Sequence, residues 1–227
     1  MSHCGVSSTT LRIILSRGGE TDEAPGVGPF PEPALSTIGS LTRVCKEAHR
    51  IGGFLCGGAI RDYLLMDKPC VKDFDIFVPV DGKVREPVDL SLFGHAIEMP
   101  KDFIDKTRDE VLGIDKYPGV SVDVIFIDRL NVLEIVETFD ATVCEVWVEW
   151  VMGEPQVFCS AAFSLAMSDG DWYTYSDVPT TSDHTRRLTA KFGEPRGSIT
   201  STRISPIPLG PLRDVRGFVK ALREKLK

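Results

Sequence analysis

Four things are missing from this 227-residue chain, and each absence closes a class of function. No Cys-x-x-Cys pair occurs among the six cysteines, at 4, 45, 56, 70, 144 and 159, and only four histidines are scattered along the chain, so zinc-ligand spacing is absent. The thiols are expected to be reduced and mostly buried, Cys144 and Cys159 lying in apolar surroundings. No apolar run approaches the ~20 residues of a membrane-spanning helix. The opening MSHCGVSSTTLRIILSRGG holds only a short apolar run, Leu11 to Leu15 interrupted by Arg12, which is too little for a secretory signal. A cytoplasmic protein with no membrane partner is expected. The pattern G-x-G-x-x-G is missing too, which removes the dinucleotide fingerprint.

What is present fits a globular domain: 42% of the residues are apolar, and the length suits one large domain. The net charge of −7 argues mildly against nucleic acid, but its distribution is uneven. From His184 to Lys227 there are eleven Lys and Arg against three Asp and Glu, a local excess of +8 that leaves the rest of the chain at −15. Such asymmetry points to a phosphate-bearing partner near the C-terminal third, although a solvated helix with a basic face would give the same count.

Residues 18–36, GGETDEAPGVGPFPEPALS, read as loop or linker, so residues 1–36 are expected to form an N-terminal extension. Ile38, Leu41, Val44, Cys45 and Ala48 recur at helical spacing, and Gly52-Gly53 stops the helix. FLCGG predicts a short strand ending on glycines, and AIRDYLLM a short helix. DFDIFVPV and VSVDVIFID predict strands. NVLEIVETFDATVCEVWVEWV combines a short helix with a long β-branched strand. Helices are expected over 160–168, over SDHTRRLTAKFG with Ser182 or Asp183 as N-cap and Gly193 as stop, and over Val215–Leu226. Helices and strands alternate without a βαβ rhythm. The expected class is α+β with a mixed sheet, divided into a head over 37–158 and a helical neck-like segment over 159–227.

The stretch CGGAIRDYLLMDKPCVKDFDIFV concentrates the chemistry. In a strand, side chains alternate with period two. Phe74, Ile76 and Val78 therefore form an apolar face, while Asp73 and Asp75 share the other, ~7 Å apart at the backbone. Two carboxylates on one face repel unless a cation lies between them, and hard oxygen donors suit magnesium. Asp123, in the second strand, would add a third carboxylate if the strands are neighbours. Three acids can hold two metals ~3.5–4 Å apart, the arrangement that activates an attacking oxygen and steadies a leaving one. By itself, D-x-D on a surface strand is common and usually just solvated. Upstream, Gly57-Gly58 stands between a strand and a helix. Glycine lets the backbone approach a ligand, and a helix N-terminus suits a phosphate that Arg61 could also reach. A tight turn would explain two glycines equally well.

Together, GGAIRD, LL and KDFDIFV resemble the head signature of class II CCA-adding enzymes and bacterial poly(A) polymerases, in the polymerase-beta-like nucleotidyltransferase superfamily. That signature reads roughly G-G-x-V-R-D-x-L-L-G, a gap, then K-D-[IF]-D. Met66 stands here in place of the usual glycine. The resemblance covers roughly residues 52–192. It implies that Gly57 and Gly58 line a nucleoside triphosphate, that Arg61 assists, and that Asp73, Asp75 and Asp123 hold Mg²⁺, with Mn²⁺ as an alternative. ETFDATVCEV is similar to the family's R-R-D-F-T-x-N-A. Asp140 and Thr142 are kept, Thr138 and Phe139 replace the arginines, and Cys144 replaces the asparagine. SDHTRRLTAKF is similar to the neck motif E-D-x-x-R, with Ser182 for the glutamate, which implies that Asp183 and Arg186 read the base. The long helical domains that grip tRNA in the family have no counterpart in the ~35 residues that follow.

The expected function is therefore metal-dependent transfer of a nucleoside monophosphate from an NTP to a hydroxyl, an RNA 3′ end first, with a protein side chain or a small molecule as other acceptors. Two alternatives remain open. One is a non-catalytic nucleotide- or RNA-binding protein, which the altered R-R-D region favours. The other is an acidic interaction protein whose D-x-D is incidental.

Overall fold

Alternation of side chains decides the centre of the sheet. In the computed structural model, which describes residues 37–67, 71, 73–80, 93–100, 110–201 and 203–225, strand β2 (Phe74–Pro79) buries Phe74, Ile76 and Val78 and leaves the residues between them partly exposed. The expected N-terminal extension and Cys4 and Cys70 lie outside these residues. The amphipathic α1 (Thr37–Arg50) buries Leu41, Val44, Cys45 and Ala48, as its spacing demands. The chain then returns through Gly52-Gly53 into β1 (Phe54–Cys56). A Cβ on Gly53 would stand 3.0 Å from Ile76 Cγ2, Phe77 O and Val78 Cγ2, so glycine permits this turn to lie directly on β2.

Helix α2 (Gly58–Leu65) follows, then β2, the short β3 (Ile97–Glu98), β4 (Val111–Tyr117), β5 (Val122–Ile127) and α3 (Val132–Val136), which Asn131 caps. A 3-10 turn (Thr142–Cys144) leads to β6 (Val146–Val151) and β7 (Glu154–Cys159). The C-terminal part holds α4 (Ala161–Asp169), β8 (Thr174–Tyr175), α5 (Ser182–Phe192), β9 (Ser198–Ile199), β10 (Ile207–Pro211) and α6 (Leu212–Lys225). Eight strands form one mixed sheet in the order β10-β7-β6-β1-β2-β5-β4-β3, in which β2 and β5 run parallel and every other neighbouring pair antiparallel. The class is α+β, and among the described residues six helices flank the sheet. Trp147, Phe126, Phe163, Ile60 and Ile135 anchor the core. Among the described residues no helix is long and apolar enough to cross a membrane.

The segment after residue 158 is not only helical. β10 extends the main sheet at its edge beside β7, and β8 pairs in parallel with β9. Pro208 and Pro211 disguise β10 in the sequence, yet proline is tolerated on an edge strand, and a bulge falls between Pro208 and Gly210. Strand β7 follows β6 through Met152 and Gly153, both at positive φ (53° and 88°), the geometry of a tight hairpin that pairs Val151 with Glu154. The N-cap of α5 is Thr181 rather than Ser182 or Asp183. Its hydroxyl accepts from the His184 amide at 3.2 Å, and Gly193 ends the helix as expected.

The basic C-terminal helix also spends part of its charge internally. Arg216 donates to the carbonyl oxygens of Tyr63 (3.0 Å) and Asp67 (2.9 Å), and Arg223 donates to that of Leu65 (2.6 Å). These guanidinium groups satisfy carbonyls at and beyond the C-terminus of α2, where the helix dipole is negative. They hold α6 against the helix that follows the glycine pair.

Candidate functional site

The parallel pairing of β2 with β5 places Asp75 directly beside Asp123. Both strands turn alternate apolar residues into the core, Ile76 and Val78 from β2, Val122, Val124 and Phe126 from β5. The carboxylates are thereby forced onto the opposite, partly exposed face. Asp73 precedes β2 and is exposed. Burial, then the charges of Asp123 and Asp73, push the Asp75 carboxyl up to about 6, against the opposing pull of Lys116 and Arg61. Lys116, on β4 and in register with Asp123, forms an ion pair with the Asp123 carboxylate. Sequence reasoning missed Lys116, because VLGIDKY carries a glycine and a charged pair and gives little strand signal.

At the end of β1 the chain turns through Gly57 (φ 68°, ψ −122°), a conformation that L side chains rarely adopt, and enters α2 at Gly58. The Gly57 amide donates to Val146 O at 2.8 Å, which fixes the turn against β6. Arg61 is buried at 6% exposure rather than reaching freely into solvent. Its Nε donates to Asp62 Oδ1 (2.8 Å), its Nη1 to Cys144 Sγ (3.2 Å), and the guanidinium lies 5.3 Å from the centre of the Phe192 ring.

Helix α5 closes the site from the far end of the chain. Asp140, 4% exposed, accepts from the Thr180 hydroxyl at 2.5 Å and pairs with His184 Nδ1 at 2.7 Å. The bond from His184 to Asp140, and then the pull of Cys144, raise the His184 imidazole to about 9. Lys191 reaches Asp62 Oδ2 at 2.5 Å. Neither His184 nor Lys191 was a sequence candidate. Each lies in the basic run, and only docking of α5 selects this face.

These pieces surround one cleft of about 580 Å³. Six of the expected residues line it: Gly57, Gly58, Arg61, Asp73, Asp75 and Asp140. Asp123 is not among the lining residues and enters through its register with Asp75. Asp183 and Arg186 are not brought to the cleft either. They pair with each other at 2.5 Å with largely exposed side chains, while His184, Leu188 and Lys191 of the same helix face inward and the exposed Arg187, 3.4 Å from Asp183, borders the cleft at its rim. Thr138 and Phe139, at the positions where the resembled motif has arginines, are structural. Thr138 Oγ1 donates to Ile135 O at 2.7 Å, and Phe139 packs against Phe77 with ring centres 5.6 Å apart.

Among the described residues no group of three or more His, Cys, Asp and Glu side chains is gathered closely enough to hold a metal ion. Asp73, Asp75 and Asp123 offer the carboxylate oxygens that suit a hard divalent cation, and the charges of Asp123 and Asp73 both act on the Asp75 carboxyl, but as they stand the three are not drawn together around one point. Compared with protein-family models, curated proteins and solved structures, the chain matches none.

Proposed function

We propose that this cleft is the active site of a metal-dependent nucleotidyltransferase, which moves a nucleoside monophosphate from an NTP to an acceptor hydroxyl and releases pyrophosphate. The observation that carries the reading is the register of Asp75 with Asp123 on parallel neighbouring strands, beside a cleft lined by the Gly57-Gly58 turn and by Asp73. The resemblance of GGAIRD and KDFDIFV to the nucleotidyltransferase head supplies the reaction class. Asp73, Asp75 and Asp123 would hold Mg²⁺ or Mn²⁺. The ion, when bound, neutralises phosphate charge and lowers the pKa of the attacking hydroxyl.

The chain's own groups do the rest. Gly57 lets the backbone turn close to a phosphate, and α2 begins there. Arg61, His184, Arg187 and Lys191 line the cleft with positive charge suited to a triphosphate. Asp140 holds the His184 ring in place through Nδ1. The acceptor that fits best is an RNA 3′ end, given the +8 excess over residues 184–227, with a protein side chain or a small molecule as further acceptors.

A second reading, nucleotide or RNA binding without transfer, is favoured by two observations. Lys116 already neutralises Asp123, and Thr138 and Phe139 serve the core where the resembled motif has arginines. One assay separates the readings. The protein is incubated with each labelled NTP, Mg²⁺ or Mn²⁺ and bulk RNA. Transfer of label that falls more than about a hundredfold in the Asp73→Ala, Asp75→Ala double variant supports the enzyme. Nucleotide binding without transfer supports the binder.

A further inference from the structure

The cleft contains a thiol, Cys144, that the proposed transfer does not use, although its neighbours Arg61 and His184 would also face the triphosphate. A cysteine is nucleophilic as its thiolate, and cationic or basic neighbours are what prepare it. A thiol, a basic ring and a third group that orients the ring make the general pattern of an activated nucleophile. Cys144 has all three. Arg61 Nη1 donates to its sulfur at 3.2 Å, the His184 ring stands beside it on the cleft wall, close enough for the sulfur to favour the ring's charged form, and Asp140 Oδ2 holds that ring through Nδ1 at 2.7 Å. The Thr180 hydroxyl, 2.5 Å from the same Asp140 oxygen, fixes the carboxylate in turn. The residues come from four places in the chain: α2, the 3-10 turn with its preceding loop, the segment before α5, and α5 itself. Cys144, Arg61, Asp140 and His184 all line the cleft, although Cys144 as a whole is buried.

The other described cysteines differ. Cys45, Cys56 and Cys159 are buried among core residues, and desolvation raises all three thiols, Cys159 to about 12. Of the three, only Cys56 also borders the cleft.

We infer that Cys144 is a reactive thiol, prepared by His184 and Arg61, and the site at which this chain forms a mixed disulfide with a low-molecular-weight disulfide. In that exchange the Cys144 sulfur attacks one sulfur of the disulfide. The Cys144 proton goes to solvent, the old S–S bond breaks as the new one forms, and the departing thiolate is protonated by the His184 imidazolium or by solvent. No other oxidant is required, because the disulfide itself is reduced to one free thiol and one mixed disulfide. The adduct stands in the same cleft as Asp73 and Asp75, and so it occupies space that a ligand of that cleft would need.

The test uses the full chain with Cys4 and Cys70 changed to Ser, which leaves Cys45, Cys56, Cys144 and Cys159. Iodoacetamide and glutathione disulfide are each added to the folded protein, and modification at every cysteine is followed by peptide mass spectrometry. Cys144 is expected to react at least about tenfold faster than the other three and to carry the glutathione adduct. In His184→Gln its rate should fall by about tenfold while Cys45, Cys56 and Cys159 stay protected, which shows that the fold persists. A Cys144 rate no faster than those of the buried thiols, or one unchanged in His184→Gln, overturns the inference. If the variant exposes all four thiols together, the ranking in the unsubstituted histidine background decides. Neither arm needs nucleotide or metal, so the outcome is independent of the transfer assay.

Discussion

The two walls of the cleft treat charge in opposite ways. On the strand wall, Asp73, Asp75 and Asp123 crowd like charges together, and the Asp75 carboxyl rises to about 6 in consequence of burial and these neighbours. On the helix wall, Asp140, Thr180 and His184 satisfy one another, and the imidazole rises to about 9 because its charged form has partners. The first arrangement works against folding and the second works for it. Stability therefore explains the helix wall, whereas on the strand wall only Lys116 and Arg61 pull against the crowding of the carboxylates.

The comparison breaks most visibly at Asp140. Replacing it with Ala leaves the His184 ring and the Thr180 hydroxyl without their shared partner, and should cost about 3 kcal/mol in urea denaturation. A loss near zero would mean that the helix wall is not held by this network.

The strand wall should respond with the opposite sign. Asp75 binds its proton in the folded chain up to about pH 6 but, unfolded, only to its ordinary 3.8, so stability falls as pH rises through that interval and the loss is complete above it. His184 is raised from 6.5 to about 9, so its contribution is fully present below about pH 6.5 and disappears as pH climbs through 9. Asp75→Asn should remove the lower step and stabilise the chain at pH 8 by about 1 kcal/mol, the gain vanishing below pH ~4. Tryptophan fluorescence followed through urea titrations at pH 4, 6, 8 and 10 separates the two steps. Destabilisation by Asp75→Asn at pH 8 would show that its charge is compensated after all.

The smallest effect belongs to the pair that sits on α5 but outside the cleft. Asp183 and Arg186 bond each other in solvent, and the Asp183 carboxyl is held below its ordinary value by that bond. Asp183→Ala should leave the urea midpoint unmoved and nucleotide binding unchanged. A loss of binding would move base recognition back to the exposed face of α5, and would mean that the helix presents that face to ligand.

How legible this was depended on the range of the interaction involved. The strand wall could be read because alternation is local: Phe74, Ile76 and Val78 inward sends Asp75 outward whatever surrounds it. Even so, alternation left the meeting of Asp75 with Asp123 conditional. Their register joins residues 48 positions apart across a parallel pair, and only the sheet order settles it. Gly57 was legible as a turn, and its positive φ is the physical ground. Arg61 was legible as a site residue, but its burial against Asp62, Cys144 and Phe192 was not. The helix wall escaped almost entirely. Basic residues on α5 occur on several faces, and a Thr181 cap one position before the expected one, with docking on Asp140, determines that His184 and Lys191 turn inward while Asp183 and Arg186 do not.

The sequence by itself determined the secondary-structure alternation, the α+β class, the turn at Gly57 and the face from which Asp73 and Asp75 project, because each follows from forces acting within a few residues. Tertiary structure alone decided that Asp123 and Lys116 stand beside Asp75, that Arg216 and Arg223 cap α2, and that Cys144, His184, Asp140 and Arg61 meet around one sulfur. Away from the sheet's local hairpins these contacts span 48 positions (Asp75 to Asp123), 83 (Arg61 to Cys144) and 44 (Asp140 to His184), and no local pattern encodes which distant faces will pack together.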